Sequence, residues 1–339
     1  RAIFHFDLIC WFGAAPVIAE DESGEPIIFD LSDPSAMNMF LLVPSILFFF
    51  IYRALMRRSD KLTAGSRSAQ GGLSLPLTRC GSVGWLALIG SGLFFVLTLL
   101  QYGCVLLSGF LKSKKGVYSF TLDHWNELWS IGASPVVRSV VYALIVAVVG
   151  TLFAALFAYY MDRRRVPGRT FFDCIATMPY MLPGTCFGIG YILAFNHAPL
   201  KLTGTAIIVL ANMLFKQLPT SAKICSATLA QLQPAQERSA QDLGAGRLAV
   251  IRDVVLPNMR PALLSCFVYN FTSSMTTAGA IIFLIDPSRQ LAVFRLFDAV
   301  YRGDYALASV LASVITAIVL AVEGLVWLLS RKEGKRRVS

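Results

Sequence analysis

The residue types best suited to metal or nucleophilic chemistry are thinly spread in this chain. It has three histidines, His5, His124 and His197, and seven cysteines, Cys10, Cys80, Cys104, Cys174, Cys186, Cys225 and Cys266. No two cysteines form CxxC, and no group of His, Cys and carboxylate has ligand spacing. The cysteines therefore read as small buried hydrophobes. The sequence contains no GxxxxGK(S/T) loop to cradle phosphate, no GxSxG elbow and no HExxH. We expect no catalytic residue, metal or cofactor in the chain itself, so any ATP and Mg would be bound by a partner.

The stretch with the strongest pattern is suited to mechanical work. From Ser221 to Pro261 it reads SAKICSATLAQLQPAQERSAQDLGAGRLAVIRDVVLPNMRP. Pro234 suits a first helical turn, where its missing N–H is no loss, and Glu237 near that end complements the helix dipole. Gly244 and Gly246 stop or bend the helix, and a second helix from about Arg247 is expected to end before Pro257. Leu243, Leu248, Ile251 and Val255 form an apolar stripe. Such a hairpin would lie on a membrane surface and present a knob to a partner.

The elements that must position this hairpin are membrane spans. The 339 residues are 56% hydrophobic and only 15% charged, with a mean hydropathy of +0.64. That composition excludes an ordinary soluble enzyme and an intrinsically disordered chain. A span needs roughly 20 mostly apolar residues, and seven stretches qualify: 37–55, 83–107, 136–161, 171–195, 203–218, 262–284 and 307–329. The net charge of +10 raises the question of nucleic acid, but the basic residues sit in short loops between apolar runs. With the C-terminus placed in the cytoplasm, the inside segments 53–79, 163–169, 216–260 and 331–337 hold 21 of the 30 Lys and Arg, and the outside loops hold seven. This bias orients the chain, and 221–261 becomes a cytoplasmic loop.

Within the spans, several polar or irregular positions have two readings. In MPYMLPGTCFGIGY (178–191), Pro179 and Pro183 remove backbone donors and Gly184 and Gly188 add freedom, so the helix should be kinked or unwound. It either lines a pathway or is simply packed against protein. In YNFTSSMTTAGA (269–280), Asn270, Ser273 and Thr277 serve as helix glue or as pathway lining. Glu323, a carboxylate inside the last span, faces a bundle interior or pore, or else snorkels or is protonated.

The 221–261 loop resembles the EAA loop of the permease subunits of binding-protein-dependent ABC importers, in which EAA is followed by three residues, Gly, nine residues and Ile-x-Leu-Pro. Ala240, Gly244, Val254, Leu256 and Pro257 fall at the matching spacings, while Arg238 and Ser239 depart from the pattern and Glu237 lies one place early. From about Phe120 to Leu329 the chain is similar to the C-terminal half of ferric-iron-type permeases, through FTLDHWNELW, LPGTCFGIGYILAF and AVFRLFDAVYRGDYALASVLA.

The resemblance implies an all-α polytopic helical bundle, the type I permease fold with a six-span core plus at least one extra N-terminal span. Residues 1–58 would be the tail of a preceding permease half with its span at 37–55. They would be followed by a cytoplasmic linker (59–82), the core (83–330) and a basic tail (331–339). The implied partners are a cytoplasmic ABC ATPase dimer, an extracytoplasmic binding protein docking near 112–135 and 286–304, a second permease half and membrane lipid, with no nucleic acid. The implied location is a bacterial inner membrane and the implied cargo ferric iron, with 2-aminoethylphosphonate, thiamine, sulfate or polyamine as alternatives. Glu237, Ala240, Gly244, Val254, Leu256 and Pro257 would couple to the ATPase by resemblance. An ion-coupled transporter or channel would instead lean on Glu323 and would be expected to show a second broken segment. None stands out in the sequence.

Overall fold

A computed structural model describes residues 19–20, 26–27, 47, 50–51, 82–114, 117–126, 133–164, 166–180, 182–195, 202–285 and 289–336. The span at 37–55, the 59–82 linker and residues 127–132 therefore lie wholly or largely outside the described residues. Among the described residues the structure is mainly helical, with two small antiparallel pairs, β1 (Ala19–Glu20) with β2 (Pro26–Ile27) and β3 (Leu111–Lys114) with β4 (Val117–Phe120).

Among the described residues from 82 onward the α-helices are α1 (Ser82–Ser108), α2 (Ser134–Arg163), α3 (Arg169–Thr177), α4 (Gly184–Phe195), α5 (Ala206–Leu229), α6 (Pro234–Asp242), α7, α8 (Arg260–Thr276), α9 (Ala292–Tyr301) and α10 (Tyr305–Arg336), and Leu47, Phe50 and Ile51 are also helical. We define α7 as the continuous run of Arg247–Ala249, Val250–Val255 and Leu256–Asn258. Among the described residues, α1, α2 and α10 are long and apolar enough to cross a membrane by length and composition. The expected spans 171–195, 203–218 and 262–284 are interrupted or carry polar side chains, features that suit helices packed against protein.

The core is built around α2. Ala143, Ala147, Gly150, Ala154 and Ala158 recur every three or four residues and are buried, which lets α5 and α8 approach closely. A Cβ on Gly150 would stand 3.2 Å from Nδ2 of Asn270. That amide joins three helices: Ser221 Oγ donates to Asn270 Oδ1 at 2.7 Å, and Asn270 Nδ2 donates to Thr151 Oγ1 at 3.3 Å. Gln217 extends the network when its Nε2 donates to the Asn270 carbonyl (3.1 Å) and its Oε1 accepts from Ser274 Oγ (2.9 Å). Below it, the thiols of Cys225 and Cys266 meet at 3.6 Å, both buried.

Two boundaries differ from expectation. Helix α5 continues to Leu229, so residues 221–229 belong to a helix and not to the loop, and Pro219 is accommodated inside it. The expected span 262–284 breaks after Thr276: Thr277 is extended (ψ 124°) and a short 3-10 turn, Ile281–Phe283, follows.

Candidate functional site

The hairpin α6–α7 forms as the residue pattern requires, and its geometry explains the pattern. Gly244 has φ +90°, a left-handed conformation that side chains with a Cβ adopt only under strain. The Gly244 N–H donates to the Gln241 carbonyl (2.9 Å) and the Ala245 N–H donates to the Ala240 carbonyl (3.0 Å). This is a Schellman ending, in which the glycine follows the cap and the residue after it touches the third-last helical residue. Ala240 and Ala245 both pack on the buried cluster of Val250, Ile251 and Val255. The Ala-x3-Gly spacing is thus the spacing of a helix stop.

Glu237 is bound inward. Its Oε1 lies 3.0 Å from Arg163 Nε, with both side chains mostly buried, and its Oε2 accepts from the Tyr159 hydroxyl at 3.2 Å. The same guanidinium donates to the carbonyls of Leu229 (2.8 Å) and Leu232 (2.7 Å). The end of α2, the end of α5 and the start of the hairpin therefore meet on one arginine.

The expected apolar stripe divides into two. Ile251 and Val255 are buried against the bundle, whereas Leu243 and Leu248 are 89% and 79% exposed. The Gly244–Gly246 bend breaks the helical period between Leu243 and Ile251, while Leu248, in the first turn of α7 after the bend, lies ahead of the buried Val250–Val255 stretch and reaches solvent. Nor does the second helix end before Pro257. Residues Val250–Val255 are π-helical, and the Leu256 N–H donates to Ile251, five residues back. The wider turn accommodates Pro257, which has no N–H to give. Val254 and Leu256 are half-buried against the cluster beneath the hairpin, so they support the exposed leucines rather than flank them.

The second candidate region lies within the bundle. Helix α3 ends in the 3-10 turn Met178–Tyr180, and α4 begins at Gly184, with Pro183 at the break. This break faces the one after Thr276, which corrects the expectation of a single broken segment. A Cβ on Gly184 would stand 3.2 Å from the Ala280 nitrogen, and one on Gly188 would stand 2.7 Å from both the Ala280 oxygen and Phe283 Cδ2. The glycines permit the first two turns of α4 to pack backbone-to-backbone on the unwound segment that follows Thr276, a reason stronger than general flexibility.

Between these breaks is a cleft of about 520 Å³. Of the predicted pathway residues, Pro179, Ser273 and Thr277 line it, and Pro183, Gly184 and Gly188 hold its shape from behind. Asn270 does not reach it, being 1% exposed and committed to the three-helix network. Glu323 lines an adjoining groove of about 1060 Å³ between α8 and α10, which shares Tyr269 and Ser273 with the cleft, and its Oε1 lies 3.5 Å from Thr272 Oγ1.

Two residues were missed by sequence reasoning. Lys216, counted there with the cytoplasmic loop, sits near the middle of the 24-residue α5 and lines the cleft. Asn212, one turn earlier, is completely buried with neither amide atom hydrogen-bonded to a described residue. A lysine placed after ten apolar or small residues looks like the end of a span. Only the continuation of the helix past Pro219 reveals otherwise.

No group of three or more His, Cys, Asp or Glu among the described residues could hold a metal ion.

Residues 147–333 match the family described as the binding-protein-dependent transport system inner membrane component. The ferric transport system permease protein FbpB of Actinobacillus pleuropneumoniae is 28% identical over 299 residues, covering 86% of this chain and 43% of that protein. The sulfate transport system permease protein CysT of Salmonella typhimurium is 30% identical over 268 residues, covering 74% of this chain and 94% of that protein. The chain thus spans less than half the length of the ferric relative. Among solved structures, a chain of a bacterial alginate ABC transporter in complex with an alginate pentasaccharide-bound periplasmic protein aligns with a TM-score of 0.59. The two are 17% identical, and the alignment covers 73% of this chain and 93% of that one. The likeness supports the type I permease fold.

Proposed function

This chain belongs to the family of binding-protein-dependent transport system inner membrane components, and from that membership we propose that it is the permease part of an ATP-driven importer, coupled to a separate ATPase through α6–α7. The observation that carries this reading is the hairpin itself. It is closed by a left-handed glycine, tied by Arg163 to two other helices, and it displays Leu243 and Leu248 to solvent. Exposed leucines on a rigid, well-anchored knob suit insertion into a groove on another protein.

In this reading the cytoplasmic side is the side of α6–α7 and of the C-terminus, in keeping with the Lys and Arg bias. An extracytoplasmic binding protein delivers cargo near 112–135 and 286–304, and an ATPase dimer closes on ATP. The hairpin passes that movement to α2 and α5 through Arg163 and to α8 through the short turn at Met259. Access alternates by rigid-body motion of packed helices, and a second permease half completes the pathway. This chain does no covalent chemistry, and ATP and Mg belong to the partner.

For cargo we propose ferric iron, on the likeness to FbpB, with sulfate as the alternative favoured by the likeness to CysT. The test is uptake of labelled ferric ion and labelled sulfate in cells expressing the transporter. Uptake of one of them that requires ATP and disappears with Gly244→Asp, while the variant remains in the membrane, supports the proposal. Undiminished uptake by a correctly inserted Gly244→Asp chain contradicts it.

A further inference from the structure

We infer that the cleft between the two broken helices is an anion station, with Lys216 as its recognising charge, and that the species crossing it carries negative charge. The inference rests on the importer reading for its role but not for its geometry. Lys216 lies near mid-helix in α5 (Ala206–Leu229), roughly 15 Å from its start and roughly 20 Å from its end, where an ionisable side chain marks a functional route more often than a structural one. Its neighbours around the cleft include Tyr180, Gln217, Tyr269, Ser273 and Thr276. Lys216 has no hydrogen bond or ion pair to any other described residue, and no carboxylate lines the cleft. Glu323, the nearest acid suggested by sequence, opens onto the neighbouring groove and touches Thr272.

Two further features add to the same field. The N-terminal end of the 12-residue α4 abuts the cleft, since Leu182, just ahead of that helix, lines it. A helix N-terminus carries partial positive charge and unpaired N–H groups. The unwound segment 277–279 contributes backbone to the opposite wall. The hydroxyls of Tyr180, Tyr269 and Ser273 with a lone ammonium are donors that a small oxyanion or a phosphonate uses. The same charge repels a bare trivalent cation, so a metal using this route would travel with an anion.

The test labels the full chain carrying Thr276→Cys, a cleft position, with methanethiosulfonates bearing either a sulfonate or a trimethylammonium group. The parent chain corrects for reaction at its own cysteines. With Lys216 or Lys216→Arg the anionic reagent should be favoured by about tenfold, and Lys216→Met or Lys216→Gln should abolish the preference. An unchanged ratio in both neutral variants overturns the inference.

Proteoliposomes containing the chain with its co-purifying ATPase and binding protein separate the sources of charge. Uptake of sulfate or 2-aminoethylphosphonate that falls at least tenfold in Lys216→Met identifies a free oxyanion, and the same fall for ferric ion identifies a metal–anion complex. Spermidine uptake that is indifferent to Lys216→Met overturns the inference. If no ATPase co-purifies, the importer reading fails, while the labelling ratio still decides the charge of the cleft.

Discussion

Arg163 Nε lies 3.0 Å from Glu237 Oε1, and its Nη2 reaches the carbonyls of Leu229 and Leu232. One side chain on α2 therefore fixes where α5 ends and where α6 begins. A knob that must transmit force to the spans requires such a rigid attachment, because a flexible loop would absorb the movement.

Breaking this clamp should loosen the hairpin before it unfolds the bundle. Glu237→Gln keeps the shape but leaves Arg163 without its counter-charge, and about 2 kcal/mol of local stability should be lost for a pair this poorly exposed. Hydrogen exchange of residues 234–258 should rise at least tenfold while exchange in α2 stays unchanged. Equal exchange in wild type and variant would remove the clamp from the mechanism.

Gly188→Ala should destabilise the detergent-solubilised protein by about 1–3 kcal/mol, because its Cβ would meet backbone oxygen and Phe283 at 2.7 Å. Gly190→Ala is the comparison, since nothing lies within 4 Å of that Cβ. It should leave the melting temperature unchanged or raise it slightly. Thermal melts of the two variants that coincide would disprove the tight packing of α4 on the segment around Ala280 and Phe283.

Asn270→Ala removes the amide that Ser221 and Thr151 share and leaves buried hydroxyls unsatisfied, at a cost of about 1–3 kcal/mol. The loss should appear as lower stability with transport per folded molecule preserved. Selective loss of transport in a protein that melts like wild type would return Asn270 to the pathway.

Glu323→Gln should leave ATP-driven uptake within about twofold of wild type, since the carboxylate lines the adjoining groove, not the cleft itself, and touches Thr272 at 3.5 Å. Complete loss of transport by a folded variant would favour ion coupling through this residue.

Much of this architecture was legible in the residues. Pro179 and Pro183 announced the α3–α4 break, and the spacing of Ala240 and Gly244 announced a helix stop, because proline and glycine act through local backbone geometry. The break after Thr276 was not legible, since hydroxyl residues rather than proline occupy it and the nearest glycine, Gly279, comes later. The π-helical turn before Pro257 was equally hidden, being a compromise between a proline and the packing of Val250, Ile251 and Val255. Lys216 was misplaced because a hydropathy pattern measures where apolar residues end, whereas the helix ends where packing and capping end. Leu243 was joined to one apolar stripe with Ile251 and Val255 because helical periodicity was carried across a bend that resets it, and the exposure of Leu248 within α7 was not legible from its spacing.

The most direct measurement is to purify the tagged full-length chain from its native membrane in mild detergent and identify by mass spectrometry what remains bound. The side chain introduced by Gly244→Asp would project from a position with open space around it, adding backbone strain of about 1 kcal/mol and a charge beside Leu243. An importer permease coupled through α6–α7 predicts an ABC ATPase retained by wild type and lost from Gly244→Asp, with both proteins equally inserted. A wild-type chain that purifies without any ATPase, yet moves solute in liposomes under an ion gradient, would contradict it.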